Sequence, residues 1–242
     1  MTFQPQFRRI LLKLSGESLC GPGSMGIERA ALDRVATEIA EVVQLGVQTA
    51  IVVGGGNFLR GQQSAAELGL DRSTADYMGM LATVLNALPL QAALEQRGHG
   101  TRVLSALAVE RVVEPFDRRR ALRHLERGRV VILAGGTGNP HVTTDSCASI
   151  RGIELGADVL LKGTKVDGVY DDDPARNPAA RLFSYVTYRQ VINERLRVMD
   201  IGAMEMCEQY QLPVIVFNLF QTGTLRRIIL GEPLGTRVGP AR

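Results

Sequence analysis

Cysteine and histidine are scarce in this sequence, three of each, and neither is spaced for metal or redox chemistry. Cys20, Cys147 and Cys207 stand far apart and are odd in number, and His99, His124 and His141 are equally scattered. That pattern argues against a disulfide framework or a zinc site and fits a reducing compartment. Long apolar runs are missing too. No stretch of about eighteen consecutive apolar residues occurs, and the opening MTFQPQFRR has no hydrophobic signal-peptide core. The expectation is a soluble, unexported, cytoplasmic protein. Aromatics make up only 5% of the chain, so the arginines at 118, 119, 120, 123, 127 and 129, with a net charge of just +3, read as a solvated helix face. A nucleic-acid surface would interleave such charges with aromatics. No Gly-Lys dipeptide exists, which excludes the Walker A loop of P-loop kinases. Nor is there a Pro/Ser-rich linker or a fixed-period repeat, so the 242 residues, 45% hydrophobic, read as one domain spanning 1–242.

What the chain does contain is a repeated join of apolar strand to glycine or hydroxyl loop. The stretch Val130 to Asp145, VVILAGGTGNPHVTTD, begins as a short β-branched run suited to a strand buried on both faces. Gly135, Gly136 and Gly138 follow, and Thr143, Thr144 and Asp145 offer capping oxygens to a helix expected to end near Gly156. Three other strands end alike. Ile10–Leu14 runs into Ser15-Gly16-Glu17-Ser18, Thr49–Val53 into Gly54-Gly55-Gly56-Asn57, and Asp158–Leu161 into a loop Lys162-Gly163-Thr164-Lys165. Ligands in open α/β sheets sit beyond the carboxyl ends of the strands, so these loops are expected to converge on one crevice.

Between the strands lie helical patterns. Leu32, Val35, Ala36, Ile39, Val42 and Val43 recur at steps of three and four within Glu28–Leu45. A second helix is expected from about Ala75, with Met78, Leu81, Leu85 and Leu88 inward and Pro89 bending or interrupting it. Further expectations are a strand Thr101–Ser105, a basic helix Arg118–Arg127, a polar loop Asp171–Ser184, helices Tyr188–Glu194 and Asp200–Tyr210, a strand Pro213–Phe217 and a helix Thr222–Leu230. This alternation predicts an α/β fold, a mainly parallel sheet with helices on both faces.

Gly21, Gly23 and Gly26 fit G-x-G-x-x-G, but the second strand ends in three glycines rather than the acidic residue a dinucleotide ribose needs. Candidate cations are Lys13, Arg60, Lys162 and Lys165; candidate anions are Asp76, Asp145, Asp167, Asp173 and Asp200. Glycine-loop amides, cations and carboxylates suffice for phosphoryl transfer, which asks mainly for positioning and charge stabilisation. Each carboxylate also has a plain structural reading: Asp171–Asp173 as an acidic turn, Asp200 as an N-cap, Asp76 as a first-turn dipole partner.

The segments KLSGES (13–18), GGGNFLRG (54–61), DYMGMLATV (76–84), GTGNPHVTTDS (136–146), KGTKVDGVYDDDP (162–174) and VMD (198–200) together resemble the bacterial UMP kinases of the amino acid kinase family. The resemblance implies a three-layer αβα sandwich around a mainly parallel sheet, and reversible transfer of the ATP γ-phosphoryl to UMP, giving UDP and ADP, in pyrimidine nucleotide biosynthesis. It implies that Lys13, Leu14, Ser15 and Gly16 line the ATP phosphates with Gly56 and Arg60, and that Thr164, Tyr170 and Asp173 hold the adenosine side. Gly55, Asp76 and the loop Thr137, Gly138, Asn139, Pro140, His141, Val142, Thr143 and Thr144 would receive UMP. Lys13, Arg60, Asp145 and Asp200 would be catalytic, the two carboxylates orienting the cations or the metal, with Mg²⁺ carried by ATP. The loop Gly21, Pro22, Gly23, Ser24, Met25 and Gly26 matches one linked to activation by GTP. Inhibition by UTP and a homohexamer are further implications. His141-Val142 stands where the family usually has two aromatics, Tyr77 where histidine is common, Ala75 where glycine is, and Gly163 where alanine is. A carboxylate or carbamate kinase of the same fold and a catalytically silent nucleotide sensor are the alternatives. Turnover with UMP against other acceptors separates all three.

Overall fold

The computed structural model describes residues 4–21, 25–59 and 69–241. In chain order the elements are β1 (Arg9–Leu14), α1 (Arg29–Gln44), β2 (Gln48–Val53), α2 (Arg72–Glu95), β3 (Thr101–Ser105), β4 (Glu114–Pro115), α3 (Arg118–Glu126) and β5 (Val130–Ala134). There follow α4 (Thr144–Leu155), β6 (Val159–Thr164), β7 (Tyr185–Thr187), α5 (Tyr188–Asn193), α6 (Ile201–Gln209), β8 (Val214–Asn218), α7 (Thr224–Ile229) and β9 (Thr236–Gly239). The strands form one sheet in the order β4-β3-β5-β2-β1-β6-β8-β9-β7. Every pairing is parallel except β8 with β9.

The period of two along the central strands divides the apolar residues between two cores. Ile10, Leu12 and Leu14 of β1 join Ile51 and Val53 of β2 and Val159 and Leu161 of β6 in a core that α1, α2 and α7 cover. Leu11, Ala50, Val52 and Leu160 point the other way, into a core shared with α3, α4, α5 and α6. The result is the three-layer αβα arrangement. The same alternation places Lys13 with Leu11 and Lys162 with Leu160, on the face that α4 covers.

Most expected elements are present at nearly the expected bounds, and the departures have physical causes. β6 extends through Thr164, so Lys162 and Gly163 lie in the strand rather than in a loop. The short strands β4, β7 and β9 carry too few residues to register as patterns, and β9 pairs antiparallel with β8. α2 starts at Arg72, capped by the Asp71 carboxylate accepting from Thr74 N–H at 3.0 Å, and runs through Pro89 without a break.

The inward face of α2 also differs from the expectation. Leu81 and Leu85 are 48% and 53% exposed, whereas Ala75, Met80, Ala82, Val84, Ala87 and Leu90 are buried. Small residues face inward because the β2 loop presses on the helix: a Cβ on Gly55 would stand 2.4 Å from Gly79 O and 2.9 Å from Ala82 Cβ. Apolar residues ring this helix, so periodicity alone does not tell which face is inner. Among the described helices it is the one with the length and apolar content of a membrane span, and half of that stretch is buried within the fold.

A buried amide pair fastens the second glycine loop to α2. Asn57 Nδ2 donates to Asn86 Oδ1 at 2.8 Å, and Asn86 Nδ2 donates to Asn57 Oδ1 and to Gly54 O, both at 2.7 Å. Asn57 also donates to Gly26 O at 2.7 Å. Truncation strands buried donors and acceptors on the partner residues. Asn86→Ala is therefore expected to lower unfolding free energy by about 1–3 kcal/mol, measured by urea denaturation; unchanged stability would contradict the role assigned to the pair.

Candidate active site at the strand tips

Lys13 and Lys162 are register partners on adjacent parallel strands and project to the same face, so two ammonium groups meet in a largely buried place. Between them lies the Asp145 carboxylate, in the first turn of α4. Its Oδ2 accepts from Lys162 Nζ at 2.8 Å, and its Oδ1 makes an ion pair with Lys13 Nζ at 3.1 Å without an aligned hydrogen bond. The three side chains are only 13–17% exposed. Burial pushes the Asp145 carboxyl upward, but the charges of Lys13 and Lys162 outweigh it and hold the carboxyl below its ordinary range. Burial lowers the Lys162 ammonium, against the pull of Asp145. Lys162 donates in addition to Val198 O.

The glycine loops gather around this trio. Gly16 opens a 3-10 turn, Gly16–Leu19, that Ser15 caps by accepting from Glu17 N–H at 3.3 Å. A Cβ at Gly16 would fall 2.4 Å from Asn57 Oδ1, 2.7 Å from Gly54 O and 2.9 Å from Gly56 N, so only glycine lets the first two loops approach so closely. A Cβ at Gly54 would lie 3.7 Å from Thr144 Oγ1, which brings in the start of α4. Leu14 contributes backbone alone: its side chain is fully buried, and its carbonyl accepts from Gly54 N–H at 2.9 Å.

Two clefts lie near: one reaches Thr144, beside Asp145, and the other reaches Arg197, one residue before the Val198 carbonyl that Lys162 holds. One, of about 270 Å³, is walled by Gly55, Gly56, Asp76, Asn139, Val142, Thr143 and Thr144, together with Arg72. Asp76 accepts from Arg72 Nε at 2.8 Å and from His141 N–H at 2.8 Å. Burial raises its carboxyl, but these donors together hold it below the ordinary range. His141 sits in the left-handed region, φ 65°, with its Nε2 3.2 Å from Ser73 Oγ. The other cleft, of about 360 Å³, is lined by Tyr170, Asp171, Asp172, Asp173, Leu196 and Arg197.

The structure thus brings Lys13, Gly16, Gly55, Gly56, Asp76, Asn139, Val142, Thr143, Thr144 and Asp145 together, and Tyr170 with Asp173. Thr137 and Gly138 belong to the same loop but not to the cleft wall. Pro140 and His141 are half-buried and exposed, respectively. Thr164 ends β6 outside the second cleft, its hydroxyl within 2.7 Å of Val166 O and 3.1 Å of Phe217 O. Asp200 makes no ion pair with either lysine; it accepts from the Thr143 and Ser146 hydroxyls and caps α6 through Ala203 N–H at 2.8 Å. Arg60, Pro22, Gly23 and Ser24 lie outside the described residues. Met25 is 79% exposed, and Gly26 N–H donates to Asn57 O at 2.8 Å.

Sequence reasoning missed Arg72, Ser146 and Asn86. The i,i+4 spacing of Arg72 and Asp76 was a signal for the first. Nothing local marks Ser146 or Asn86, whose partners are 54 and 29 residues away. Among the described residues no group of three or more His, Cys, Asp or Glu is placed to hold a metal ion. Asp145 is occupied by lysines and Asp200 by hydroxyls, so the residues do not fit a resident metal.

The profile of the Amino acid kinase family matches residues 8–218. The chain belongs to the amino acid kinase family. A relative from Methylococcus capsulatus named uridylate kinase is 53% identical over 233 residues, 96% of this chain and 97% of its own. The crystal structure of a UMP kinase from Bacillus anthracis superposes with a TM-score of 0.95 at 38% identity, covering 98% of this chain and 97% of that one. A UMP kinase structure from Ureaplasma parvum gives 0.90 at 35% identity, over 99% and 100%. The three-layer fold of this amino acid kinase is therefore that of its relatives.

The depressed Asp145 carboxyl has a pH signature. Its stabilising contribution is present above the unfolded carboxyl value, about 3.9, and is lost as pH falls through the lower folded value. Wild type is expected to exceed Asp145→Asn in unfolding free energy by a constant margin from about pH 7 to 5, shrinking below about pH 4. Urea denaturation across pH measures this; a margin that widens on acidification would contradict the ion trio.

Proposed function

We propose that this amino acid kinase is a UMP kinase, which transfers the γ-phosphoryl group of ATP, bound as its Mg²⁺ complex, to UMP and yields ADP and UDP. The observation that carries the reading is the Lys13–Asp145–Lys162 trio at the convergence of the glycine loops, beside the cleft that Thr144 walls. The names of full-length relatives support it.

In this reading the acceptor phosphate lies in the cleft walled by Gly55, Asp76 and Thr144, and the ATP base and ribose lie by Tyr170 and Asp173. A phosphate monoester with a second pKa near 6 is mostly dianionic at neutral pH. One of its oxygens attacks the γ-phosphorus, the bond to the β–γ bridging oxygen breaks, and ADP leaves with the electron pair; no histidine base is needed. Lys13 and Lys162 stabilise the charge spread over the transferring group, and Asp145 keeps both aimed. Arg60 is a further catalytic cation and Asp200 a further acidic residue of the site. Ser15, Gly16 and Gly56 line the ATP phosphates, and Thr164 stands on the adenosine side.

We also take the whole chain as one catalytic unit in pyrimidine nucleotide synthesis, cytoplasmic, activated by GTP through the Gly21 to Gly26 loop and inhibited by UTP. Self-association, as a hexamer in this proposal, is supported by the apolar stripe Tyr77, Leu81 and Leu85, 44%, 48% and 53% exposed along α2.

ADP release measured with UMP, CMP, acetylglutamate and aspartate, each with and without GTP and UTP, tests the activity; UMP is expected to be preferred, and turnover with a carboxylate acceptor alone would overturn the reading. Lys13→Ala is expected to lower kcat by about 10² or more, the loss typical of one electrostatic donor. A correctly folded variant within about tenfold of wild type would remove Lys13 from this role. Leu81→Asp is expected to lower the oligomeric mass in light scattering, and an unchanged mass would exclude the α2 stripe as the contact.

A further inference from the structure

We infer that Ser146 is a positioning residue of this site, acting through Asp200 to couple the cleft that takes ATP to the cleft that takes UMP. The inference deepens the functional reading above and rests on it. The Asp200 carboxylate takes three donors. Oδ1 accepts from Ala203 N–H at 2.8 Å and Oδ2 from the Thr143 hydroxyl, while the single Ser146 hydroxyl proton is shared between the two oxygens, each 3.1 Å away. One carboxylate therefore clips the first turn of α4 to the first turn of α6.

This changes which groups are left for a phosphate. The Thr143 hydroxyl proton is committed to Asp200, and its oxygen already accepts from Ser146 N–H at 3.1 Å. For a bound phosphate, the donors this turn still offers are the backbone N–H groups of Thr144 and Asp145, which as first-turn groups have no partner within the helix. Where those two groups point depends on where Asp200 holds the turn.

The same segment reaches the other cleft. Leu196 and Arg197 line it, Val198 O accepts from Lys162, and Asp200 follows two residues on. There is little slack in between: Arg195 is left-handed at φ 51°, Val198 N–H bonds back to Leu196 O at 2.7 Å, and the Val198 side chain is buried. A nucleotide seated against Leu196 and Arg197 fixes the position of this taut segment and, through Ser146 and Thr143, that of the start of α4. A second nucleotide that binds best to the same position then binds more tightly, which gives positive coupling.

Ser146→Ala leaves both helix caps in place, so a purely structural role and a coupling role give different readouts. UMP binding is measured by calorimetry with and without a saturating, non-hydrolysable ATP analogue and Mg²⁺. Wild type is expected to bind UMP at least about fivefold tighter with the analogue present; Ser146→Ala keeps its affinity for UMP alone within about twofold but loses most of that enhancement. Ser146→Thr, which retains the hydroxyl, restores it. In turnover, Ser146→Ala raises KM for UMP at saturating ATP more than it lowers kcat. Full enhancement in Ser146→Ala, or wild type that binds both nucleotides without enhancement, would overturn the clip alone. Wild type that binds neither nucleotide would overturn the functional reading and the clip with it.

Discussion

Two lysines in register on neighbouring strands, bridged by one carboxylate from a helix that the chain reaches much later, form the constraint on which the site depends. Like charges at adjacent positions of a buried sheet repel strongly where water is scarce. Asp145 offsets that repulsion and holds both ammonium groups in place. Removing one member of such a group leaves an uncompensated buried charge, which costs far more than the group contributes when whole. The placement of α4 against β1 and β6 is thus tied to these ions.

Around this trio the fold brings backbone close together where it needs donors and keeps side chains away. Gly16 and Gly55 have no room for a Cβ, one against the neighbouring loop and the other against α2. The Asn57–Asn86 pair holds the second loop down, at the cost of burying two amides that must satisfy each other. Small inner residues on α2 follow from that close packing. Its larger apolar residues are thereby turned outward, so one local requirement at the site shapes both the inner and the outer surface of the longest described helix.

The acidic residues of the site divide their work by position. Asp145 faces cations, Asp76 an arginine and a backbone N–H, and Asp200 hydroxyls and a helix N-terminus. None of them has the open, clustered geometry of a metal cage.

Local pattern in the sequence was enough to specify the strand-to-glycine joins, the αβ alternation, the helix at Arg29–Gln44 and the position of Lys13 at a strand tip. Those features depend on residues within a turn or two of one another. The convergence of the first three of these joins followed from the general geometry of parallel sheets, and the segment-by-segment resemblance to a known family singled out the residues. What only the tertiary structure decided was every relation across distance: that Lys162 lies in β6 opposite Lys13, that Asn86 meets Asn57, that Asp200 grips Thr143 and Ser146, and that Leu81 and Leu85 face outward. Side-chain type and spacing record which face a residue takes on its own element. They do not record which face of another element comes to meet it, because that is set by the packing of the whole sheet and its helices.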